Sequence, residues 1–370
     1  MANDNLIKVL VITNSYPTFL DSMPGVYVKR QVESLREASD SFDITVFYNP
    51  IFRFLKNPTL KKGLFWNGLK YLVFTLWFIP ILFKKFDIVH AHQCFYPGLL
   101  GYIYRIFHHS NFIITSHGGD IDGMAKASSF IKYMMIRSYE KADHIIAVST
   151  EYQSRITNEF GIKKKINVIP CGTDFDLFRA DTPKKDDYIP LTPRLLFVGN
   201  LIDSKNPQLL LEAIKTIKDR TGVLLEAIII GEGDLQGTLE EFGQRNDLKL
   251  NFTGNLEQKE LPSFFTTSSI LIFPSRHEGF GLVGVEALAC GVPVIASRVG
   301  GIKDYLIENE NGLFFEPGNL EDLIDKITKL IENQSLYLRL QANARNSVLK
   351  YSLQNTAQKI SDLYLDYRKA

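Results

Sequence analysis

Ser269-Ile-Leu-Ile-Phe-Pro-Ser-Arg-His-Glu-Gly-Phe-Gly-Leu-Val-Gly-Val-Glu-Ala-Leu-Ala-Cys-Gly-Val-Pro-Val-Ile-Ala296 decides how the rest of the chain is to be read. The apolar run Ser269–Phe273 stops at a proline. A loop carrying Glu278, Gly279 and Gly281 follows, then a helical pattern from Leu282 with Glu286 in its second turn, then a second apolar run, Val292–Ala296. Short runs without polar alternation suit a sheet covered on both faces, and strand–helix–strand order gives a parallel crossover. Gly279 and Gly281 let backbone come close to a ligand, and the free N–H groups of the next helix form an anion site suited to a diphosphate. Glu278 and Glu286 are placed to accept hydrogen bonds from hydroxyls on either side of it. A diphosphate flanked by two polyols describes a nucleotide sugar. The plainer alternative is that Glu278 caps the helix and Glu286 lies on its surface.

The same unit repeats outward. Arg194–Val198, Glu226–Ile230 and Leu248–Thr253 precede it and Gly312–Phe315 follows, with helices such as Gln208–Lys218 and Leu282–Ala289 between. Farther upstream, Lys8–Thr13, Asp43–Tyr48, Asp87–Ala91, Phe112–Ser116, His144–Val148 and Asn167–Ile169 predict six more buried strands, and Val28–Ala38 and Ser128–Lys141 carry apolar residues at helical spacing. Charged, proline-rich Ala180–Pro193 separates the series as an exposed linker. The expected fold is α/β: two Rossmann-like, doubly wound parallel-sheet domains, residues 1–187 and 188–350, facing a central cleft. Residues 351–370 form an amphipathic C-terminal helix. In such sheets ligands bind beyond the carboxyl ends of the strands.

Composition narrows the class. Forty-two basic and 41 acidic side chains in 370 residues leave a formal charge of +1, which excludes the cationic field of a general nucleic-acid binder. Cys94, Cys171 and Cys290 stand far apart with no metal-ligand spacing, which points to a reduced, cytosolic compartment. The polar start, Met1-Ala-Asn-Asp-Asn, lacks the basic and apolar regions of a secretory signal.

The segment quoted first resembles the Glu-x7-Glu signature of the retaining glycosyltransferases of family 4, which have the GT-B fold. Gly291-Val-Pro-Val-Ile-Ala-Ser, Gly300-Gly-Ile-Lys-Asp and Asn311-Gly-Leu-Phe-Phe-Glu-Pro-Gly-Asn resemble that family's later motifs in their usual order. The resemblance implies that Glu278 contacts hydroxyls of the donor sugar and Glu286 the ribose of its nucleotide, with Phe280, Gly281, Leu282 and Val283 beside the phosphates. Phe197-Val-Gly-Asn-Leu-Ile-Asp-Ser-Lys-Asn is similar to the segment opening the family's second domain. It implies donor contacts by Asn200 and Lys205, the lysine neutralising the diphosphate as the glycosidic bond breaks. Many members carry arginine where this chain has Asn200. Thr115-Ser-His-Gly-Gly-Asp resembles the His-Gly-x-Asp loop, which implies His117 near the reacting sugar and Asp120 either orienting it or meeting the acceptor. Gly25, in a stretch that resembles the family's first loop and helix, would let the chain approach donor phosphate and acceptor, and the resemblance also implies that the C-terminal helix, residues 351–370, returns to the N-terminal domain.

Asp120-Ile-Asp122 and Asp174-Phe-Asp176 invite a metal reading, but GT-B enzymes generally rely on fixed charge and helix dipoles, so neither metal nor other cofactor is expected. Residues 51–86 hold both tryptophans and seven cations, Arg53, Lys56, Lys61, Lys62, Lys70, Lys84 and Lys85, without one acid. The apolar stretch Tyr71–Phe83 is too short to span a bilayer and contains Pro80. It suits either an interfacial anchor on anionic lipid or a helix packed on the first sheet. The expected activity is retaining transfer from a nucleotide-diphosphate sugar to a saccharide or lipid-linked acceptor at the cytosolic membrane face, in cell-surface polysaccharide or glycolipid synthesis. A nucleotide-sugar epimerase of similar fold and a catalytically silent scaffold binding a glycan or partner are the alternatives.

Overall fold

The computed structural model describes residues 6–17, 25–48, 64–124, 127–179 and 193–366, without the side chains of 64–68, 70 and 124. Two units emerge: one holds the chain up to Gly172 and again from Leu353, the other runs Thr173–Ser352.

In the first unit β1 (Ile7–Thr13), α1 (Val26–Ala38), β2 (Phe42–Phe47), α2 (Leu64–Phe78), β3 (Ile88–His92), α3 (Pro97–His108), β4 (Asn111–Ser116), α4 (Gly119–Met124), α5 (Ser129–Lys141), β5 (His144–Ala147), α6 (Thr150–Phe160) and β6 (Ile166–Val168) alternate. The six strands form one sheet in the order β2-β1-β3-β4-β5-β6, each neighbouring pair parallel. Burial on both faces explains the unbroken apolar runs: six of the seven β1 residues are buried, Lys8 alone reaching solvent. The order turns back between β1 and β3, and this switch point is where a doubly wound sheet opens a crevice at its carboxyl edge.

The second unit repeats the plan with β7 (Arg194–Val198), α7 (Pro207–Thr221), β8 (Glu226–Ile230), α8 (Gln236–Arg245), β9 (Lys249–Gly254), α9 (Leu261–Thr267), β10 (Ile270–Phe273), α10 (Leu282–Ala289), β11 (Val294–Ser297), β12 (Gly312–Phe315), α11 (Leu320–Glu332) and α12 (Gln334–Val348). Its parallel order, β12-β11-β10-β7-β8-β9, puts the switch point between β7 and β10. Strand β11 starts two residues later than expected. Val292 N–H instead closes the end of α10 on the Ala287 carbonyl, and Pro293 has no N–H to give a ladder.

The last helix, α13 (Leu353–Asp366), lies on α1: Ala357, Ile360 and Tyr364 join Val28, Val32 and Leu35 in one core. Tyr351, where the helix was expected to begin, belongs to the second unit, its hydroxyl donating to the Asp304 carbonyl. The division at Gly172 has a visible cause. Arg345 donates to the carbonyls of Phe175 and Phe178, and Phe178 is buried against Phe265, so residues 173–179 pack with the second unit. The expected linker up to residue 192 and its boundary at 187 lie outside the described residues.

Apolar stretch 71–83 is the end of α2 followed by a 3₁₀ turn, Ile79–Phe83, with Pro80 at its start. Phe74 and Phe78 are buried on Phe47, with ring centroids 5.1 Å away in each case. The opposite side exposes Leu72, Leu76, Trp77, Ile79 and Phe83, the last at 83 %. Among the described residues no helix is long and apolar enough to cross a membrane. Arg53, Lys56, Lys61 and Lys62 lie outside the described residues.

Because Ile360 is 2 % exposed within the α1–α13 core, Ile360→Ala is expected to destabilise the first unit by about 2–4 kcal/mol. Hydrogen exchange should show lost protection in α1 and α13 and unchanged protection in α11.

Candidate active site

At the β7/β10 switch point the loops after both strands are tied together. Arg276 N–H donates to the Ser204 carbonyl at 2.8 Å, and the Ser297 hydroxyl anchors the Ser275 carbonyl from the next strand. This brings Lys205 to Glu278: Nζ donates to Oε2 at 2.5 Å, with the Ser275 hydroxyl 3.4 Å from the same oxygen. Both side chains are largely shielded, so the pair is better fixed than a surface bridge. Glu278 is therefore partnered by the lysine rather than capping the helix with its carboxylate. Gly281 precedes α10 in the left-handed region, φ 84°, its carbonyl accepting from Tyr305 Oη at 3.0 Å. Gly300 holds the loop from behind. At φ 53° it lies so close to the Glu278 carbonyl that a Cβ there would sit 1.8 Å from the oxygen.

Glu286 projects inward from α10, 4 % exposed, and accepts from Gln258 Nε2 at 2.8 Å. It is not a surface residue of its helix. Gln258, in the β9–α9 connection, carries no sequence motif and was not anticipated. Phe280 is buried edge-on to Tyr305 and Tyr351, which leaves only its backbone for the loop surface. Leu282 and Val283 are half-buried on the first turn of α10. Asn200 is exposed. Arg298 is engaged by Glu308, Glu316 and the Phe314 ring, whereas Arg276, on the loop after β10, packs against the Lys205 loop, 3.5 Å from Asp203.

In the first unit the corresponding edge is built from histidines. His117 follows β4; its Nε2 is 2.8 Å from His92 Nδ1 and its Nδ1 is 3.7 Å from Cys171 Sγ, while Tyr27 of α1 lies against the ring, centroids 4.5 Å apart. His90, stacked on His92, bridges Thr115 Oγ1 and Tyr364 Oη at 2.7 Å each. Burial pushes His90 and His117 down to about 3 and His92 well below the ordinary value of 6.5, so all three are neutral at pH 7. Burial likewise lifts the Cys171 thiol to about 12. The Asp120 carboxylate faces the protein, accepting from Cys94 N–H at 2.9 Å and Gly118 N–H at 3.3 Å. It braces the His117 loop. Gly25 caps α1 at φ 71°, pressed onto the Ser15 carbonyl. Asp122 is held by Tyr152 and Arg155, and Asp174 accepts from the N–H groups of Asp176 and Leu177, so each Asp-x-Asp pair is tied into local structure.

Comparison with known proteins assigns the chain. The family described as Glycosyltransferase Family 4 matches residues 24–177, and Glycosyl transferases group 1 matches 179–347. A glycosyltransferase of Methanocaldococcus jannaschii, itself uncharacterized, is 30% identical over 97% of this chain and 98% of its own. The chain belongs to glycosyltransferase family 4. The UDP-Gal:alpha-D-GlcNAc-diphosphoundecaprenol alpha-1,3-galactosyltransferase of Escherichia coli is 26% identical to this glycosyltransferase over 76% of each chain. Sucrose-phosphate synthase from Thermosynechococcus elongatus superposes with a TM-score of 0.79 at 20% identity, covering 98% of this chain and 99% of that one, which identifies the fold as GT-B.

Two outcomes follow for this glycosyltransferase. Gly300→Ala must displace the Glu278 loop and should lower stability by about 1–3 kcal/mol, measured by thermal melting, with chemical-shift changes centred on Glu278 and Lys205. Neutral His90 and His117 bind protons more weakly folded than unfolded, so stability is lost as pH falls below 6.5 and continues to fall toward about 3. At pH 5 each should account for about 2 kcal/mol in the first unit, checked by urea titration of the wild type against His90→Gln.

Proposed function

We propose that this glycosyltransferase moves a sugar from a nucleotide-diphosphate sugar to a saccharide or lipid-linked acceptor, with retention of configuration and without metal. The observation that carries the proposal is the meeting of Lys205 and Glu278 at the β7/β10 switch point, next to the first turn of α10. A diphosphate at that turn takes Lys205 as its counter-ion and frees Glu278 for hydroxyls of the sugar. Glu286, held by Gln258, is assigned to the ribose. His117 is assigned to a sugar hydroxyl.

Front-face displacement fits these groups. The bond from the anomeric carbon to the phosphate oxygen breaks as the acceptor oxygen bonds to the same carbon, and the acceptor proton passes to the departing phosphate. No external base or oxidant is needed. Lys205 and the α10 dipole stabilise the charge on the leaving group, and positioning supplies much of the remaining rate. Both carboxylates are assigned to donor hydroxyls, which leaves neither as the nucleophile of a double displacement.

The acceptor is assigned to a membrane of the cytosolic face. Exposed Leu72, Leu76, Trp77, Ile79 and Phe83 continue onto the end of α3, where Ile106 and Phe107 are also exposed and His108 Nε2 bonds the Leu82 carbonyl at 2.7 Å. Lys84 and Lys85 adjoin this apolar band, the combination that seats a protein on anionic lipid. The lipid-linked acceptor named for the Escherichia coli relative agrees with that assignment.

Incubation with a panel of nucleotide sugars should reveal one that is turned over, unaffected by EDTA, with the anomeric configuration retained in the product by NMR. Lys205→Ala and Glu286→Ala should each cut turnover by about 10²-fold or more; unchanged rates in both would contradict the site. In liposome flotation, binding should require anionic lipid and be lost in Trp77→Ser/Phe83→Ser.

A further inference from the structure

Two neutral imidazoles that share a hydrogen bond hold one proton between them, and the direction of that bond decides what the outer ring offers. The His92 and His117 rings lie within 11° of coplanar with centroids 5.1 Å apart, the arrangement of an in-plane N–H···N bond at the 2.8 Å separation of Nδ1 and Nε2. His92 is 1 % exposed, and its other nitrogen, Nε2, is buried without a hydrogen-bond partner. If His117 donated, His92 would have to carry its proton on that isolated Nε2. If His92 donates, Nε2 holds only a lone pair. A buried donor without an acceptor is the less tolerated of the two.

We propose that His92 is a positioning residue that donates from Nδ1 to His117 Nε2 and thereby fixes His117 as the tautomer with its proton on Nδ1. His117 then presents an N–H, resting on Cys171 Sγ at 3.7 Å, a long and weak acceptor that a substrate oxygen displaces readily. The Tyr27 ring against the imidazole keeps it from turning over. Resting on the transfer function above, the consequence is chemical: His117 is a hydrogen-bond donor to a hydroxyl or phosphoryl oxygen and does not take the acceptor's proton. His90 reinforces the arrangement. Both of its nitrogens are engaged, by Thr115 and Tyr364, so it stacks on His92 without competing for its proton.

Imidazole ¹⁵N shifts of the full-length protein test the assignment directly, with His117→Gln used to identify the signals. In the wild type His117 Nδ1 should appear protonated and Nε2 unprotonated; a protonated Nε2 overturns the proposal, and this measurement needs no variant at His92. His92→Phe keeps a ring but removes the donor, so the His117 signals should move toward the other tautomer and kcat for transfer should fall on the order of tenfold. His92→Asn, whose amide N–H stands where Nδ1–H stood, should retain the original tautomer and recover most of the rate. Unchanged His117 shifts in His92→Phe would also overturn the proposal. Absence of turnover with every donor sugar counts against the transfer function, while the ¹⁵N spectrum still decides the tautomer.

Discussion

Everything chemical in this protein is arranged by the burial of two parallel sheets. When both faces of a sheet are covered, its strands have no room for unpaired polar groups, and the side chains able to do chemistry are driven to the strand ends. At the carboxyl ends the crossovers diverge on either side of the switch point, and only there do loops from non-adjacent strands approach one another. Lys205 and Glu278 meet because β7 and β10 are neighbours in the sheet although 71 residues, two strands and three helices separate Val198 from Ile270. His92 and His117 meet by the same logic at the ends of β3 and β4.

The second layer of order is close contact of the loops. Gly300 against the Glu278 carbonyl and Gly25 against the Ser15 carbonyl are places where backbone replaces a side chain. Hydrogen bonds from Ser297 and Arg276 pull the Glu278 loop onto its neighbours. Such loops need few apolar contacts of their own, because each is fastened to a strand that cannot move without breaking the sheet. The site residues therefore stand on rigid supports even though they lie in irregular segments.

Twelve strands among the described residues are legible in the sequence, most of them as apolar runs buried on two faces; β9, at the sheet edge with no buried residue, shows instead as alternating Leu250 and Phe252. Local motifs single out Glu278, Glu286 and Lys205, and the fold brings Lys205 to Glu278. What escaped was everything set by distant partners. Gln258 lies in an ordinary polar connection, and only the folded β9–α9 path carries it to Glu286. Asp120 acts on His117 through the backbone, its carboxylate accepting from Gly118 N–H beside it and from Cys94 N–H of the β3–α3 connection, a partner no local motif reveals. His90 sits inside the expected strand Asp87–Ala91, and His92 lies one residue beyond it, where β3 continues. Their alternation with Val89 and Ala91 was the available signal, since two histidines two residues apart on a strand share one face. The double nature of 71–83, half core and half exposed, was beyond composition to resolve because the same aromatics serve both sides.

The return of α13 has a consequence for how the molecule is made. β1 through β6 are synthesised before the second unit, yet the helix that covers α1 and supplies Tyr364 to His90 emerges only after it. The Val28, Val32 and Leu35 surface therefore stays uncovered by α13 while the second unit is synthesised. The first unit is thus closed by residues that lie beyond the second in the chain, so its core is assembled from segments more than 300 residues apart.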